Sequence, residues 1–308
     1  MESISLSLLR GICQMPAYVA KEKGFFADEG LDVEIEVQPT AWMVPERLLD
    51  GSVHFAVIPW TRVAAGSAQG DEMVLICGSG HEEAAVVVRS GLRLDQVRTV
   101  AVPQPGGIKD LTAAALMRSL GWDDREKIRL PSGDGAILTL VGQGADAAAM
   151  VEPYATMLEE LGIGYVARRT GDFWAGAPGC SLTTSRRMIA ERPDLVQRVV
   201  TAFVRGSQWT HEAPDDAAHI GGAYIGVHPK FVRAALQHNR PNVEALANHE
   251  AMNCILDLMQ QLGYLAGRPT DFADLSYLRA ATAPLRQAAG SSAFRTSVSP
   301  GPIGRSST

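Results

Sequence analysis

The side chains best suited to metal binding or nucleophilic chemistry are scattered along this chain of 308 residues. Its four cysteines, at positions 13, 77, 180 and 254, stand singly, without the C-x-x-C spacing of a zinc site or the density of a disulfide scaffold. The histidines form no metal motif, because the segment 81–85 has alanine where H-E-x-x-H needs its second histidine. The spacing therefore predicts no metal site, and we expect no cofactor.

Cys13 is the candidate nucleophile. It follows residues 4–9, where apolar side chains alternate as in a β-strand, and it precedes a short helix predicted over 16–23. A cysteine beside a helix N-terminus can have a lowered pKa and act as a nucleophile. A small buried apolar side chain is the other interpretation of Cys13, and the sequence leaves both open.

Aromatic and cationic residues in predicted loops suggest a binding site for a small organic molecule. Trp42 and Trp60 could stack on a planar ligand, or they could pack their loops onto the core. Arg62 could pair with a carboxylate or sulfonate, or it could lie in solvent at the start of a helix. These residues point to a planar or partly apolar ligand.

Gly106, Gly107 and Lys109 suggest an anion site. They precede a helix predicted over 111–120, where free backbone N–H groups and the helix dipole favour negative charge. An ordinary strand-to-helix turn is the alternative explanation for the two glycines. The expected ligand therefore carries an anionic or strongly accepting group.

Alternating strands and helices must position these side chains. In open parallel sheets, ligands bind beyond the carboxyl ends of the strands, so the loops at those ends are the candidate site. The predicted ligand-binding residues are Gln14, Met15, Trp42, Trp60, Thr61, Arg62, Gly80, His81, Gly106, Gly107, Ile108, Lys109, Tyr154 and Trp174. The alternation predicts an α/β fold with mixed, mainly parallel sheets.

The last third of the chain is predicted to be helical. Val196, Val199, Val200, Phe203 and Val204 recur at the spacing of one helix face, within a helix predicted over 193–211. Further helices are predicted over 214–225, 229–238 and 243–262, and residues 290–308, rich in Ser, Gly, Pro and Thr, are predicted to be a flexible tail.

Three segments resemble one family: residues 16–26 (PAYVAKEKGFF), 48–57 (LLDGSVHFAV) and 191–196 (ERPDLV). They are similar to type 2 periplasmic-binding proteins of the branch that serves nitrate, sulfonates, taurine and thiamine-pyrimidine precursors. The resemblance covers about residues 3–270. It implies a two-lobed α/β protein that feeds an ABC importer by closing its lobes around a ligand, without making or breaking bonds.

The resemblance also implies how the chain divides and what it contacts. We expect lobe 1 at 1–88 and 183–289, lobe 2 at 89–182, and connections near 88–99 and 179–183. The expected partners are a small-molecule ligand and an ABC permease, and the expected state is a monomer. The location is periplasmic or otherwise extracytoplasmic if a signal has been removed, and cytoplasmic if Met1 is the native start.

Two other functions stay open on the same scaffold. Cys13, His54 and Arg62 occur in the same order as residues of aromatic sulfinate desulfinases, which implies a cytosolic enzyme with Cys13 as nucleophile. His54 falls at the base of a predicted strand, however, so we lean against an enzyme. A cytosolic ligand sensor is the third class. The net charge of −6 gives no basic excess for nucleic acid, and no apolar run approaches the roughly 18 residues of a membrane helix.

Overall fold

The computed structural model describes residues 1–122, 124–130 and 133–284, and their strands form two five-stranded sheets. We call the residues built on the first sheet lobe 1 and those built on the second sheet lobe 2. The predicted tail at 290–308 lies outside the described residues. No helix in the described ranges is long and apolar enough to span a membrane.

Lobe 1 begins with strand and helix in alternation. Buried Leu31 and Val33 alternate with exposed Asp32 and Glu34 along the second strand, as the period-2 pattern predicts for a strand with one buried face. The elements of this part are β1 (Glu2–Leu8), α1 (Met15–Glu22), α2 (Phe25–Asp28), β2 (Leu31–Val37), α3 (Val44–Asp50), β3 (Phe55–Pro59), α4 (Trp60–Ser67) and β4 (Met73–Gly78).

Lobe 2 follows without interruption. Its elements are β5 (Ala84–Arg89), β6 (Thr99–Val102), α5 (Ile108–Ser119), β7 (Glu126–Arg129), α6 (Gly133–Val141), β8 (Ala147–Val151), α7 (Tyr154–Glu160) and β9 (Gly164–Arg169). The strand order is β7-β6-β8-β5-β9, with β6 parallel to β7 and β8, and with β5 antiparallel to β8 and β9.

The chain then returns to lobe 1 through β10 (Cys180–Ser185), which pairs antiparallel with β3 and β4 and completes the order β2-β1-β3-β10-β4. Helices follow: α8 (Arg186–Glu191), α9 (Pro193–Glu212), α10 (Pro214–Ile225), α11 (Pro229–Ala235), α12 (His249–Gln261) and a helix over 276–284. Mixed, mainly parallel sheets and a helical C-terminal region were both predicted.

Helix α9 buries the face predicted for it. Val196, Val199, Val200, Phe203 and Val204 are all buried in the core of lobe 1. The helix crosses α1 closely at Gly206, where an added Cβ would lie 2.1 Å from the carbonyl oxygen of Pro16. A side chain at position 206 would therefore separate the two helices.

The structure corrects the predicted boundaries in three places. Residues 180–182, predicted in lobe 2, begin β10 in the first sheet and so belong to lobe 1. Residues 84–88 form part of β5, which pairs with β8 and β9, so they belong to lobe 2 and not to lobe 1. A wholly apolar strand shows its burial but not the sheet in which it lies. In the predicted helix over 243–262, α12 begins only at His249, because Asn248 caps it by accepting a hydrogen bond from the Ala251 N–H.

Two segments connect the lobes, at 79–83 and 170–179, and they run side by side. Ser79 N–H donates to Cys180 O at 3.2 Å, Gly179 N–H donates to Gly80 O at 2.9 Å, and Glu82 N–H donates to Ala177 O at 2.9 Å. The first connection therefore lies before β5 and not at 88–99. These paired connections form the floor between the lobes.

Candidate functional site

A cleft of about 860 Å³, including its open mouth, lies between the lobes at the carboxyl ends of the strands. Lobe 1 contributes the loops after β1 and β2, the end of β3 and the first turn of α4. Lobe 2 contributes the start of α5, part of α6 and the end of β8. Of the residues predicted to bind ligand, six line this cleft: Trp42, Arg62, Gly107, Ile108, Lys109 and Tyr154.

The wall from lobe 1 carries an aromatic and a cationic group in contact. The guanidinium carbon of Arg62 lies 4.3 Å from the ring centroid of Trp42, as in a cation–π pair. Burial lowers the pKa of Arg62. Within the described ranges, no carboxylate lies at ion-pair distance from this guanidinium, so its hydrogen-bond donors are available to a ligand.

The wall from lobe 2 carries Lys109 in the first turn of α5, beside Gly107 and Ile108. Burial lowers the pKa of Lys109, and the nearby Glu83 carboxylate opposes that shift. The same turn holds the buried Asp110, whose carboxylate accepts from Gly106 N–H and pairs with Arg129. The Asp110 carboxylate thus offsets part of the positive potential at the N-terminus of α5, and Lys109 adds a positive charge to this wall of the cleft.

Tyr154 closes the apolar side of the cleft. Its ring is 9% exposed, and its hydroxyl lies 3.5 Å from Ile225 O. Burial raises the pKa of Tyr154 to about 12, so the phenol stays neutral and can donate a hydrogen bond. Ile137 and Met150 add further apolar surface.

The floor of the cleft holds two thiols and a carboxylate. Cys13 follows β1, Cys180 begins β10, and Glu83 ends the first connection between the lobes. Glu83 accepts hydrogen bonds from Cys180 N–H at 2.9 Å and from the Cys180 thiol at 3.3 Å. Burial raises the pKa of both thiols.

Arg10 and Asp134 meet across the mouth of the cleft, with Arg10 Nη1 3.2 Å from Asp134 Oδ2. Arg10 follows β1 in lobe 1, and Asp134 lies in α6 of lobe 2. Both side chains are more than 40% exposed, so the pair is a weak contact in energy. The pair nevertheless marks a point at which the two lobes contact each other across the mouth of the cleft.

Trp60 and Thr61 were predicted in a loop at the cleft, and the structure places them in the core. Helix α4 begins at Trp60, directly after β3, so no loop lies between the strand and the helix. The indole of Trp60 is fully buried and donates to Pro178 O at 2.9 Å. Thr61 is also fully buried. Neither side chain lines the cleft.

The remaining predicted residues surround the cleft without lining it. Gln14 is buried and accepts from Leu9 N–H at 3.2 Å, so it fixes the loop after β1. Met15 packs under α10, and Gly80 lies against the Cβ of Cys13. His81 forms a β-bridge with Pro178 between the two connections. Gly106 lies in a separate groove beside Tyr264, and Trp174 lies in a third groove beside Phe173.

His54 lies at the opposite end of the sheet from the cleft. Its Nδ1 accepts a hydrogen bond from Ser5 N–H at 3.0 Å, just before β3 begins. The strand then rises about 3.3 Å per residue, so the carboxyl end at Pro59, five residues further on, lies about 16 Å away. Cys13 and Arg62 reach the cleft, but His54 does not join them.

Sequence reasoning missed several residues of the cleft. Glu83 lies within the segment 81–85, which lacks the spacing of a zinc motif, and Cys180 lies in a segment predicted to connect the lobes. Neither residue was therefore predicted to bind a ligand. The pairing of the two connections brings them together, and no linear spacing records that pairing. Arg10 could have been found, because it directly follows a predicted strand. The other missed lining residues are Leu9, Pro39, Pro103, Gln104, Asp134, Ile137, Met150 and Val151.

The fold and the cleft define the class: this is a two-lobed α/β protein of the periplasmic-binding-protein type. The periplasmic nitrate-binding protein NrtA from Synechocystis PCC 6803 superimposes with a TM-score of 0.79 over 94% of this chain and 90% of NrtA, at 17% identity. The alkanesulfonate-binding protein SsuA from Xanthomonas axonopodis pv. citri, bound to MOPS, gives 0.75 over 90% and 99%, at 16% identity.

The fold is shared with an enzyme as well. The desulfurization enzyme DszB superimposes with a TM-score of 0.69 over 93% of this chain and all of DszB, at 17% identity. Likeness at this level of identity establishes the common fold and leaves the activity to be argued from the site.

Sequence comparison then places the chain in a family. Residues 1–221 match the NMT1-like family, and the protein belongs to it. The nitrate import ATP-binding protein NrtC of Synechocystis is 25% identical over 232 residues, which are 66% of this chain and 34% of NrtC, so the chain spans about a third of that protein. The putative binding protein YtlA of Bacillus subtilis is 21% identical over 81% of this chain and 80% of YtlA.

Proposed function

We propose that this protein captures a small organic anion between its lobes and delivers it to the permease of an ABC importer. The observation that carries the proposal is the placement of Arg62 and Lys109 on opposite walls of one cleft. Within the described ranges, neither has a carboxylate at ion-pair distance. Two such cations facing one space favour an anion that contacts both.

The rest of the cleft indicates the other part of the ligand. Trp42, Ile108 and Tyr154 present aromatic and apolar surface around the two cations. An inorganic anion alone would leave this surface exposed to water, whereas a planar or partly apolar body would cover it. The ligand class is therefore an organic carboxylate or sulfonate with an apolar or heteroaromatic body.

Binding is coupled to closure of the lobes. An anion that bridges Arg62 in lobe 1 and Lys109 in lobe 2 is bound more tightly when the lobes approach, so it shifts the population toward the closed form. The paired connections at 79–83 and 170–179 act as the hinge, and the contact between Arg10 and Asp134 closes the mouth. No covalent step is part of this cycle.

The similar proteins support this proposal. NrtA and SsuA bear names that describe binding of nitrate and alkanesulfonate, both anions, and NrtA is described as periplasmic. We infer an extracytoplasmic location and a permease partner for this chain on the same basis, together with a monomeric state. The choice among anions rests on the cleft of this chain.

A thermal-shift screen of carboxylates, sulfonates and heteroaromatic anions tests the proposal. A ligand with a Kd near 10 μM, supplied at 1 mM, should stabilise the protein by about 2.7 kcal/mol. Arg62→Met should weaken binding of that ligand about 10- to 100-fold, because it removes charge-assisted hydrogen bonds. Arg93→Met is the matched control, since Arg93 is exposed and pairs only with its neighbour Asp95 among the described residues.

The proposal is wrong if only sugars, cationic amines or neutral compounds shift the melting curve. It is also wrong if Arg62→Met binds the anion as tightly as Arg93→Met does. An equal loss of affinity in both variants would mean that general surface charge, and not the cleft, attracts the ligand.

An enzyme with Cys13 as nucleophile is the second candidate, and one observation favours it: Cys13 lines the cleft near Arg62. Burial raises the pKa of this thiol, whereas nucleophilic catalysis needs the thiolate. His54, the expected partner, lies at the other end of β3. We therefore propose binding without turnover, and we rank a cytosolic sensor behind it because no feature of the cleft favours one.

A further inference from the structure

The floor of the cleft gathers three side chains that are suited to a metal ion. The Sγ atoms of Cys13 and Cys180 and a carboxylate oxygen of Glu83 all lie within 4.8 Å of one another. All three residues are buried, and all three line the cleft. We call them the floor cluster. They come from the turn after β1, from the first connection between the lobes and from the start of β10.

Packing and hydrogen bonds fix the floor cluster in place. Glu83 accepts from the backbone N–H and the thiol of Cys180, and Cys13 Sγ lies 3.2 Å from Gln14 Nε2. Two glycines allow the close approach. A Cβ at Gly80 would lie 2.9 Å from the Cβ of Cys13, and one at Gly179 would lie 2.3 Å from Glu83 Oε2. The three ligand atoms are thus held near one another by the fold and do not depend on flexible side chains.

We propose that the floor cluster binds one thiophilic divalent transition-metal ion, with Zn²⁺ as its simplest probe. Two thiolates and one carboxylate are a donor set that zinc accepts in tetrahedral geometry, whereas Mg²⁺ and Ca²⁺ need oxygen donors throughout. With Zn–S near 2.3 Å and Zn–O near 2.0 Å, the ligand atoms would lie about 3.5–3.8 Å apart. The distance of 3.3 Å between Cys180 Sγ and Glu83 Oε1 is already close to this range. The fourth position faces the cleft and stays open to water or a bound anion.

The charges at the floor balance with the metal in place. Without metal, the Glu83 carboxylate lies near the Lys109 ammonium, and the two thiols carry their protons. Binding releases both thiol protons to the buffer, and the two thiolates offset the two charges of the ion. The buried floor therefore gains no net charge when the metal binds, which keeps the electrostatic cost of burial low.

The spacing of cysteines and histidines along the sequence predicted no metal site, and this proposal differs from that prediction. Cys13 and Cys180 are 167 positions apart, and only the pairing of the connections brings them together. It does not depend on the proposed organic ligand, because the three side chains alone form the site.

The test titrates the full chain, with all thiols reduced, with Zn²⁺ alone in competition with a chromophoric chelator, and then with Co²⁺. We expect one Zn²⁺ per chain, with a Kd in the micromolar range or below, and near-ultraviolet thiolate-to-Co²⁺ charge-transfer absorption. Cys13→Ser and Cys180→Ser should each weaken Zn²⁺ binding more than 100-fold, beyond the 10–100-fold cost of losing an outer partner. The matched control is Cys254→Ser, an exposed cysteine outside the floor cluster.

A variant-free measurement covers the case in which a serine variant fails to fold. In the wild-type protein, X-ray absorption at the zinc edge should show two sulfur neighbours per Zn²⁺ near 2.3 Å. The proposal is overturned if Zn²⁺ does not bind one-to-one at 100 μM, if folded Cys13→Ser and Cys180→Ser bind like the wild type, or if the bound Zn²⁺ has fewer than two sulfur neighbours. Binding of Zn²⁺ without binding of any organic anion would support this inference while contradicting the proposed function.

Discussion

Two tryptophans that looked equivalent in the sequence should differ clearly in how much stability the same substitution costs. In Trp60→Phe, the loss of the indole N–H leaves the buried carbonyl of Pro178 without its donor, which costs about 1–3 kcal/mol. The smaller ring also leaves a cavity, which adds about 1 kcal/mol. We therefore expect Trp60→Phe to lower the free energy of unfolding by about 2–4 kcal/mol.

Trp42→Phe is the matched comparison. Trp42 is 47% exposed, and its main contact is the face of its ring against Arg62, which phenylalanine partly retains. The expected loss of stability is below about 1 kcal/mol. Urea denaturation followed by circular dichroism measures both values, and acrylamide quenching should show that Trp42→Phe, and not Trp60→Phe, removes accessible fluorescence.

Equal destabilisation by the two substitutions would refute the assignment of Trp60 to the core and Trp42 to the cleft wall. A stable Trp60→Phe variant with reduced acrylamide quenching would be a second contradiction, because it would place Trp60 at the surface.

Three further predictions concern the mouth, the far end of the sheet and the helix contact. Small-angle scattering should show that the radius of gyration of the wild type falls at saturating ligand. The fall should be smaller for Asp134→Asn, because this variant removes the charge that faces Arg10. An unchanged radius of gyration of the wild type would count against closure of the lobes. Burial holds the pKa of His54 below its ordinary value, so stability that is present above about pH 6.5 should be lost as the pH falls through the lowered pKa. Urea midpoints measured at pH 7.5 and 5.5 should therefore depend less on pH in His54→Gln than in His219→Gln, the control at an exposed histidine. Gly206→Ala should lower the free energy of unfolding by about 1–3 kcal/mol in thermal or urea melts, because the added Cβ would clash with the carbonyl oxygen of Pro16. Gly267→Ala, with no atom within 4 Å of the added Cβ, should melt like the wild type. Equal melts of the two variants would disprove the close crossing of α1 and α9.

The sequence predicts the elements well where a periodic pattern is long. α9 is found almost at its predicted bounds, and β2 shows the alternating burial that its sequence pattern indicates, because both patterns depend only on local order. The mixed, mainly parallel sheets also follow from the alternation of strands and helices. The assignment of β5 to lobe 2 does not follow, since a fully apolar strand fits any buried position in either sheet.

The candidate site was predictable only in part. Arg62 and Lys109 reach the cleft because they lie in the first turns of the helices that follow β3 and β6, and that rule is topological. Trp60 was placed wrongly in a loop, because α4 begins one residue after β3 and turns the indole into the core. Glu83 and Cys180 meet through hydrogen bonds between two distant connections, and such pairing leaves no signal in a single sequence.

The most direct test of the central claim is a crystal structure of the protein with the tightest-binding anion from the thermal-shift screen. The account predicts electron density for one ligand between the lobes, with its anionic group within hydrogen-bond distance of both Arg62 and Lys109 and its apolar body against Trp42 and Tyr154. Density in the groove beside Tyr264 and Gly106, or on an outer surface of either lobe, with the cleft between Arg62 and Lys109 empty, would contradict it.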